Sequence, residues 1–300
     1  LIGTMEAVVT LAGEGTRMLP WSRGLRKEFL PLYDRGSNGA PVLKPVAHLV
    51  VESLAGAGAV HITIVHQPRD AEAVRSYFTV DPAFLRRHRL HGERLAETRR
   101  LYETLHRLRI SFTVQHRPKG FGDAVLRARD SVGGQRFLLH AGDAVILERR
   151  RGEILRAMAA LLERDGLAAV LLVRRVADPR RYGVVEGRRG PPVHGIARLD
   201  VDAMVEKPEH PRSHWAATAA YAFDPSIFAA LEKHRRAHRP SELELTDGIR
   251  TLIAEGGRVA GLVLSPRLGE WWSVGSPEGF RRALARTRAV AARAPAEPHR

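Results

Sequence analysis

No cysteine occurs in the 300 residues. That excludes a disulfide framework, a thiolate-bound zinc and a cysteine nucleophile, and it leaves the redox compartment open. Aromatic residues amount to only 6%, and no zinc-finger or basic-zipper spacing occurs, so the usual equipment of nucleic-acid binders is missing. Long apolar runs are missing as well. The opening run through MEAVVTLA stops at Gly13 and Glu14; it is too short to span a membrane and lacks the basic start expected of a secretory signal. There is no internal repeat and no low-complexity linker. The expectation is a soluble, cytoplasmic protein with enough chain to bury a substantial core.

What the chain has in excess is positive charge. Forty-eight Lys and Arg against 33 Asp and Glu leave 48 − 33 = +15, which favours an anionic partner without naming one. The arginines are spread along the whole sequence, and no motif supports a nucleic acid, whose binding would be strongly salt-dependent. A phosphorylated small molecule would be drawn in by the same field.

Apolar runs at residues 5–12, 60–67, 110–115, 137–147 and 167–176 read as strands, with a helix over 45–57 between the first two. The 137–147 run is read as one strand closed by a Gly-Asp turn. Continuous apolar strands spaced by helices predict an α/β fold, a mixed, mostly parallel sheet flanked by helices. Ligands then bind beyond the carboxyl ends of the strands, which directs attention to Gly13, Gln115 and Asp143. Residues 84–109 read as an Arg-rich helical stretch with a solvated outer face. Residues 277–293 read as a basic amphipathic helix that frays into a tail. The expected organisation is one catalytic domain over 1–276, with a helical insertion at about 71–109, followed by a helix and tail over 277–300.

A glycine loop follows the first strand: Leu11, Ala12, Gly13, Glu14, Gly15, Thr16, Arg17. Such a loop can lay bare backbone N–H groups on a phosphate, and Arg17 and Lys27 add positive charge for a triphosphate. It lacks the Lys-Ser/Thr ending of a P-loop. The whole string, through Pro20 and on to Lys27-Glu28-Phe29-Leu30-Pro31-Leu32, resembles the signature of the sugar-1-phosphate nucleotidylyltransferases. Among them the bacterial UTP–glucose-1-phosphate uridylyltransferases are the most similar.

Further segments follow in family order across residues 6–280. Gln115, with Gly120 and the helix after it, resembles the base-reading loop, which makes Gln115 the candidate reader of uracil or thymine. Asp143 stands where the family keeps a carboxylate for Mg²⁺, and a hard cation does prefer carboxylate and phosphate oxygens. Tyr182-Gly183-Val184-Val185, Val205-Glu206-Lys207-Pro208 and Tyr221 resemble the sugar site. The resemblance gives the sugar to Gly183, Glu206 and Tyr221, and the sugar phosphate to Lys207. Glu242 to Asp247 resembles a supporting helix start, where Thr246 and Asp247 suit either an amide-capping role or support of the site residues.

The resemblance implies a Rossmann-like fold of the nucleotide-diphospho-sugar transferase type. The implied reaction is transfer of a nucleotidyl group from an NTP, UTP first, to a sugar 1-phosphate, glucose 1-phosphate first, with Arg17, Lys27 and Lys207 as catalytic cations. One position departs. The family's second metal-ligand Asp is here Ser273, and Glu270, three residues earlier in an extended segment, would face the other way. An alternative is therefore a weakened, nucleotide-sugar-binding regulatory homologue; another NTP, sugar or cyclitol phosphate also stays open. Residues 34–45 are longer than the family's short turn. No membrane or nucleic-acid partner is expected, and the 277–293 helix is a candidate contact in a homo-oligomer.

Overall fold

The computed structural model describes residues 5–293; the expected tail 294–300 and the first four residues of the 1–276 domain lie outside them. The strands are β1 (Met5–Thr10), β2 (Pro31–Arg35), β3 (Pro41–Pro45), β4 (Ala59–His66), β5 (Arg109–Val114), β6 (Phe137–Ala141), β7 (Ala144–Glu148), β8 (Ala169–Arg175), β9 (Gly183–Val193), β10 (Ile196–Glu206), β11 (Trp215–Phe223), β12 (Val259–Val263) and β13 (Gly269–Ser273). The helices are α1 (Val46–Ala57), α2 (Ala71–Tyr77), α3 (Pro82–His88), α4 (Gly92–His106), α5 (Phe121–Leu126), α6 (Arg129–Val132), α7 (Glu153–Arg164), α8 (Ser226–His238), α9 (Leu245–Ala254) and α10 (Pro277–Arg293).

Nine strands form the main sheet in the order β5-β4-β1-β6-β11-β8-β12-β10-β9. Following the pairings across it, only β11 and β10 run against the other seven strands. The sheet is thus mixed and mostly parallel in direction.

The continuous apolar runs reflect burial of both faces. Along β1, Ala7 and Val9 enter one core while Val8 enters the other, and in β8 Val170 and Leu172 oppose Ala169, Leu171 and Val173. Side chains from α1 and α7 cover the first face, and those from α5, α8 and α9 the second. Alternation of side chains along a strand requires two apolar layers when neither face meets water.

Two sequence expectations change, and a third segment gains a structure. The 137–147 run is two strands, not one: β6 stays in the main sheet, while β7 leaves it after Gly142-Asp143 to pair with β13 in a two-stranded sheet. Space for Gly142 is tight, since a Cβ there would meet Leu11 Cδ2 at 2.1 Å. The 84–109 stretch is broken between α3 and α4, where Arg89 adopts a left-handed conformation (φ 44°). Its arginines are nonetheless exposed, while Leu105 and Leu108 are buried. The long 34–45 segment is the β2–β3 hairpin, whose tip is held to α4 by Ser37 N–H donating to Glu97 Oε1 at 2.6 Å. Helix α10 docks on that hairpin, with Tyr33 N–H donating to Thr287 Oγ1 at 3.2 Å. Among the described residues no helix is long and apolar enough to cross a membrane.

Candidate active site

Strands β1, β4, β5 and β6 are parallel neighbours, so the segments leaving Thr10, His66, Val114 and Ala141 emerge on one edge of the sheet. The expected phosphate loop, base loop and Asp143 are those segments. Further along, Trp215 and Ala216 of β11 pair with β8 on one side and with β9 on the other. The edge of β11 that β6 uses at Ala220–Phe223 is thereby taken over by β9, and the β9–β10 ribbon reaches the same end of the sheet.

Several main-chain carbonyls of the glycine loop are bound within the protein. Arg26 donates to Leu11 O, Gln67 Nε2 to Ala12 O at 2.7 Å, and Ser22 Oγ to Gly15 O at 2.8 Å. Leu11 N–H is itself bound to Val65 O at 2.7 Å, so Leu11 anchors the loop rather than offering a free donor. Gly13 and Thr16 are exposed, and Gly15 takes the left-handed φ of 69° that opens the turn. Beneath lies a buried group of charges, with Arg26 3.3 Å from both Glu28 Oε2 and Asp70 Oδ2. Burial pushes the Glu28 carboxyl up to about 7 despite the Arg26 and Lys27 charges.

Lys27 Nζ lies 2.6 Å from Asp143 Oδ2. Burial alone would lower the Lys27 pKa, but the Asp143 and Glu28 carboxylates outweigh it and hold it above its ordinary value. Burial likewise opposes the Asp143 charge, and Lys27 and Arg17 nonetheless keep its carboxyl below the usual range. A Cβ built on Gly275 would stand 3.2 Å from Asp143 Oδ2, 3.2 Å from Ser273 Oγ and 3.3 Å from Arg17 Nη2. Those three polar ends therefore converge on one small volume, and Gly275 leaves it open. A Cβ on Gly13 would be 3.6 Å from Lys27 Nζ, which brings the glycine loop to the same place.

This donor set fits Mg²⁺ only in part. Asp143 supplies one carboxylate and Ser273 one neutral hydroxyl, which already accepts Gly275 N–H at 3.1 Å. Among the described residues no group of three or more His, Cys, Asp or Glu could hold a metal. Mg²⁺ bound through a single carboxylate plus substrate phosphates remains chemically ordinary. Glu270 is no substitute: it is held away by Arg286 Nε at 2.7 Å and by Trp272 Nε1 at 3.0 Å.

On the β9–β10 ribbon, Gly183 pairs with Glu206. Thr246 Oγ1 donates to Glu206 Oε2 at 2.8 Å, and Lys207 Nζ lies 3.0 Å from Glu206 Oε1. A Cβ on Gly183 would stand 3.3 Å from Glu206 Oε2, so the glycine keeps that carboxylate accessible from the strand. Lys207 has a φ of 40° and is anchored by its N–H to Tyr182 O at 3.0 Å. Tyr221 is buried, and burial together with the Glu206 and Glu244 charges pushes its phenol up. The expected helix start is a reciprocal cap at α9, with Glu244 N–H donating to Asp247 Oδ2 at 3.0 Å.

Gln115 leaves β5 with its N–H on His66 O at 2.8 Å, and its Nε2 donates to Gly120 O and Asp123 Oδ2. Gly120 has a φ of 95°, and a Cβ there would meet Leu243 O at 2.4 Å. Phe121 contacts Tyr221, with ring centroids 6.2 Å apart, and so joins the base loop to the ribbon.

The residues expected from sequence thus gather in three adjoining groups: Arg17, Lys27, Asp143 and Ser273 with the glycine loop; Gly183, Glu206, Lys207 and Tyr221; and Gln115 with Gly120. Sequence reading missed Arg26, Gln67, Ser22 and Asp123. They act on main-chain carbonyls or on a buried amide, and no spacing announces such partners. A separate cleft of about 1200 Å³ lies between the β2–β3 hairpin, β7 and α10 and contains none of the expected site residues.

A family model described as Nucleotidyl transferase matches residues 6–289. UTP–glucose-1-phosphate uridylyltransferase 2 of Streptococcus pyogenes serotype M3 is 30% identical over 254 residues, covering 82% of this chain and 79% of that protein. An apo UDP-glucose pyrophosphorylase structure superposes with a TM-score of 0.81 at 23% identity, covering 96% of this chain and 99% of the other. A UTP-bound enzyme from Acinetobacter baumannii gives 0.77 at 23% identity, covering 94% and 93%. At that identity the structures establish the fold.

Proposed function

The chain belongs to the nucleotidyl transferase family, and on that premise we propose that it makes UDP-glucose from UTP and glucose 1-phosphate, releasing pyrophosphate. A non-bridging phosphate oxygen of the sugar phosphate attacks the α-phosphorus of UTP in line, and the bond from that phosphorus to the bridging oxygen breaks. The attacking oxygen is already anionic at neutral pH, so no general base is needed. Positioning and charge stabilisation carry the catalysis.

In this reading the glycine loop from Ala12 to Thr16, Arg17 and Lys27 hold the triphosphate and its pyrophosphate leaving group. Lys207 holds the attacking phosphate; Glu206, Gly183 and Tyr221 hold the sugar; Gln115 meets the base. Asp143 would hold Mg²⁺ together with substrate phosphates, and a bound Mg²⁺ would offset charge around the α-phosphate. Residues 1–276 act as one catalytic unit in a cytoplasmic enzyme, with α10 as its appended helix. The convergence of Asp143, Ser273 and Arg17 beside Gly275, with Lys27 on Asp143, carries the proposal.

Pyrophosphate release from glucose 1-phosphate and each common NTP tests it: release should be strongest with UTP, and equal silence with every NTP would sink the proposal. Ser273 favours one second reading, a nucleotide-sugar-binding homologue with slow turnover. Ser273→Asp separates the two. Under the second reading it raises turnover and lowers the Mg²⁺ concentration needed for half-maximal nucleotide binding; under the first, turnover barely changes.

A further inference from the structure

We propose that Asp123 sets base selection by fixing which end of the Gln115 carboxamide faces the nucleotide, an inference that rests on the reading of Gln115 as the base reader. A carboxamide has a donor end and an acceptor end of nearly equal shape. A glutamine free to turn would satisfy a base edge of either polarity.

Gln115 is not free to turn. It is 2% exposed, and its Nε2 donates to Gly120 O at 3.2 Å and to Asp123 Oδ2 at 2.9 Å. Both partners are pure acceptors. Turning the amide over would set Oε1 against a carbonyl and a carboxylate and would forfeit both bonds. Asp123 is itself immobile: it is 2% exposed, and its Oδ1 receives Arg127 Nη2 at 2.7 Å. The helix that carries it is pinned by Gly122 N–H to Leu243 O at 2.8 Å, and Leu243 N–H returns to Lys119 O at 2.8 Å.

The lock leaves Gln115 Oε1 as the one end available to a ligand. It accepts no hydrogen bond among the described residues, and it is not one of the buried polar atoms left without a partner. An acceptor there calls for a ring N–H on the base. The imide N3–H of uracil supplies one. Cytosine in the same pose turns the N3 lone pair toward Oε1. Asp123 is therefore a positioning residue that acts on UTP-against-CTP discrimination through Gln115.

The test is the ratio of kcat/KM for UTP to that for CTP, with dissociation constants for both nucleotides measured calorimetrically. Asp123→Asn lets the neighbouring amide turn and should lower the ratio by about tenfold. In a Gln115→Ala background the same substitution should leave the ratio unchanged, which a merely structural effect of Asp123 would not do. Asp123→Ser, which also keeps a group able to donate, carries the same expectation should the Asn variant not fold. A ratio that falls in Gln115→Ala but holds in both Asp123 variants overturns the lock while leaving the base reader intact. A ratio indifferent to Gln115→Ala overturns the base assignment itself.

Discussion

The surroundings of Gln115 and those of Asp143 are built on opposite plans. Around Gln115 the amide nitrogen and its partners are tied down inside the protein: Asp123, Gly120 O, Arg127 and the Leu243 main chain close a network around a buried amide whose Oε1 alone is left for a ligand among the described residues. Around Asp143 the side chains of Arg17, Lys27 and Ser273 converge on space that Gly275 keeps open. The first region has its geometry fixed by folding, and so can discriminate. The second gathers charge that a phosphorylated ligand would complete, and so can stabilise a transition state.

Substitutions in the two regions should therefore fail differently. The largest effect is expected around Asp143. Lys27→Met should lower kcat/KM by about 10²–10³-fold, which steady-state kinetics on folded protein would show. Next is Gly120→Ala. Its φ of 95° and the 2.4 Å approach of a Cβ to Leu243 O should cost about 3 kcal/mol of stability, read by denaturant unfolding. Unchanged kcat/KM in Lys27→Met, or unchanged stability in Gly120→Ala, would erase the distinction.

The last effect concerns pH. Glu28 has its carboxyl raised from 4.5 to about 7, chiefly by burial. A raised folded-state pKa gives stability that is complete below the unfolded value and lost as pH rises through the folded one. Stability should thus decline between about pH 4.5 and 7, on the order of 3 kcal/mol for this group. Glu28→Gln should flatten that decline; an unchanged slope would mean that the carboxyl titrates normally.

Much of this was legible in the sequence, for identifiable reasons. Glycines needed for turns, a carboxylate at a strand end and lysines at fixed spacing are local signals, and Gly13, Lys27, Asp143, Glu206 and Lys207 occupy the expected edge. The α9 cap was legible at Asp247, an acidic residue at a helix start, but its partner Glu244 was not singled out. The split of 137–147 was not, because an apolar run carries no mark of which sheet each half joins. Nor was the support beneath the glycine loop: Gln67 reaches Ala12 O across 55 residues of chain, and a glutamine at a strand end looks the same whatever carbonyl it meets.

The most direct test of the proposed reaction is to follow UTP and glucose 1-phosphate with Mg²⁺ and purified protein by ³¹P NMR. The account predicts loss of the UTP triphosphate signals and equal appearance of UDP-glucose and pyrophosphate. Inorganic phosphate and UDP in their place, or unchanged UTP, would contradict it.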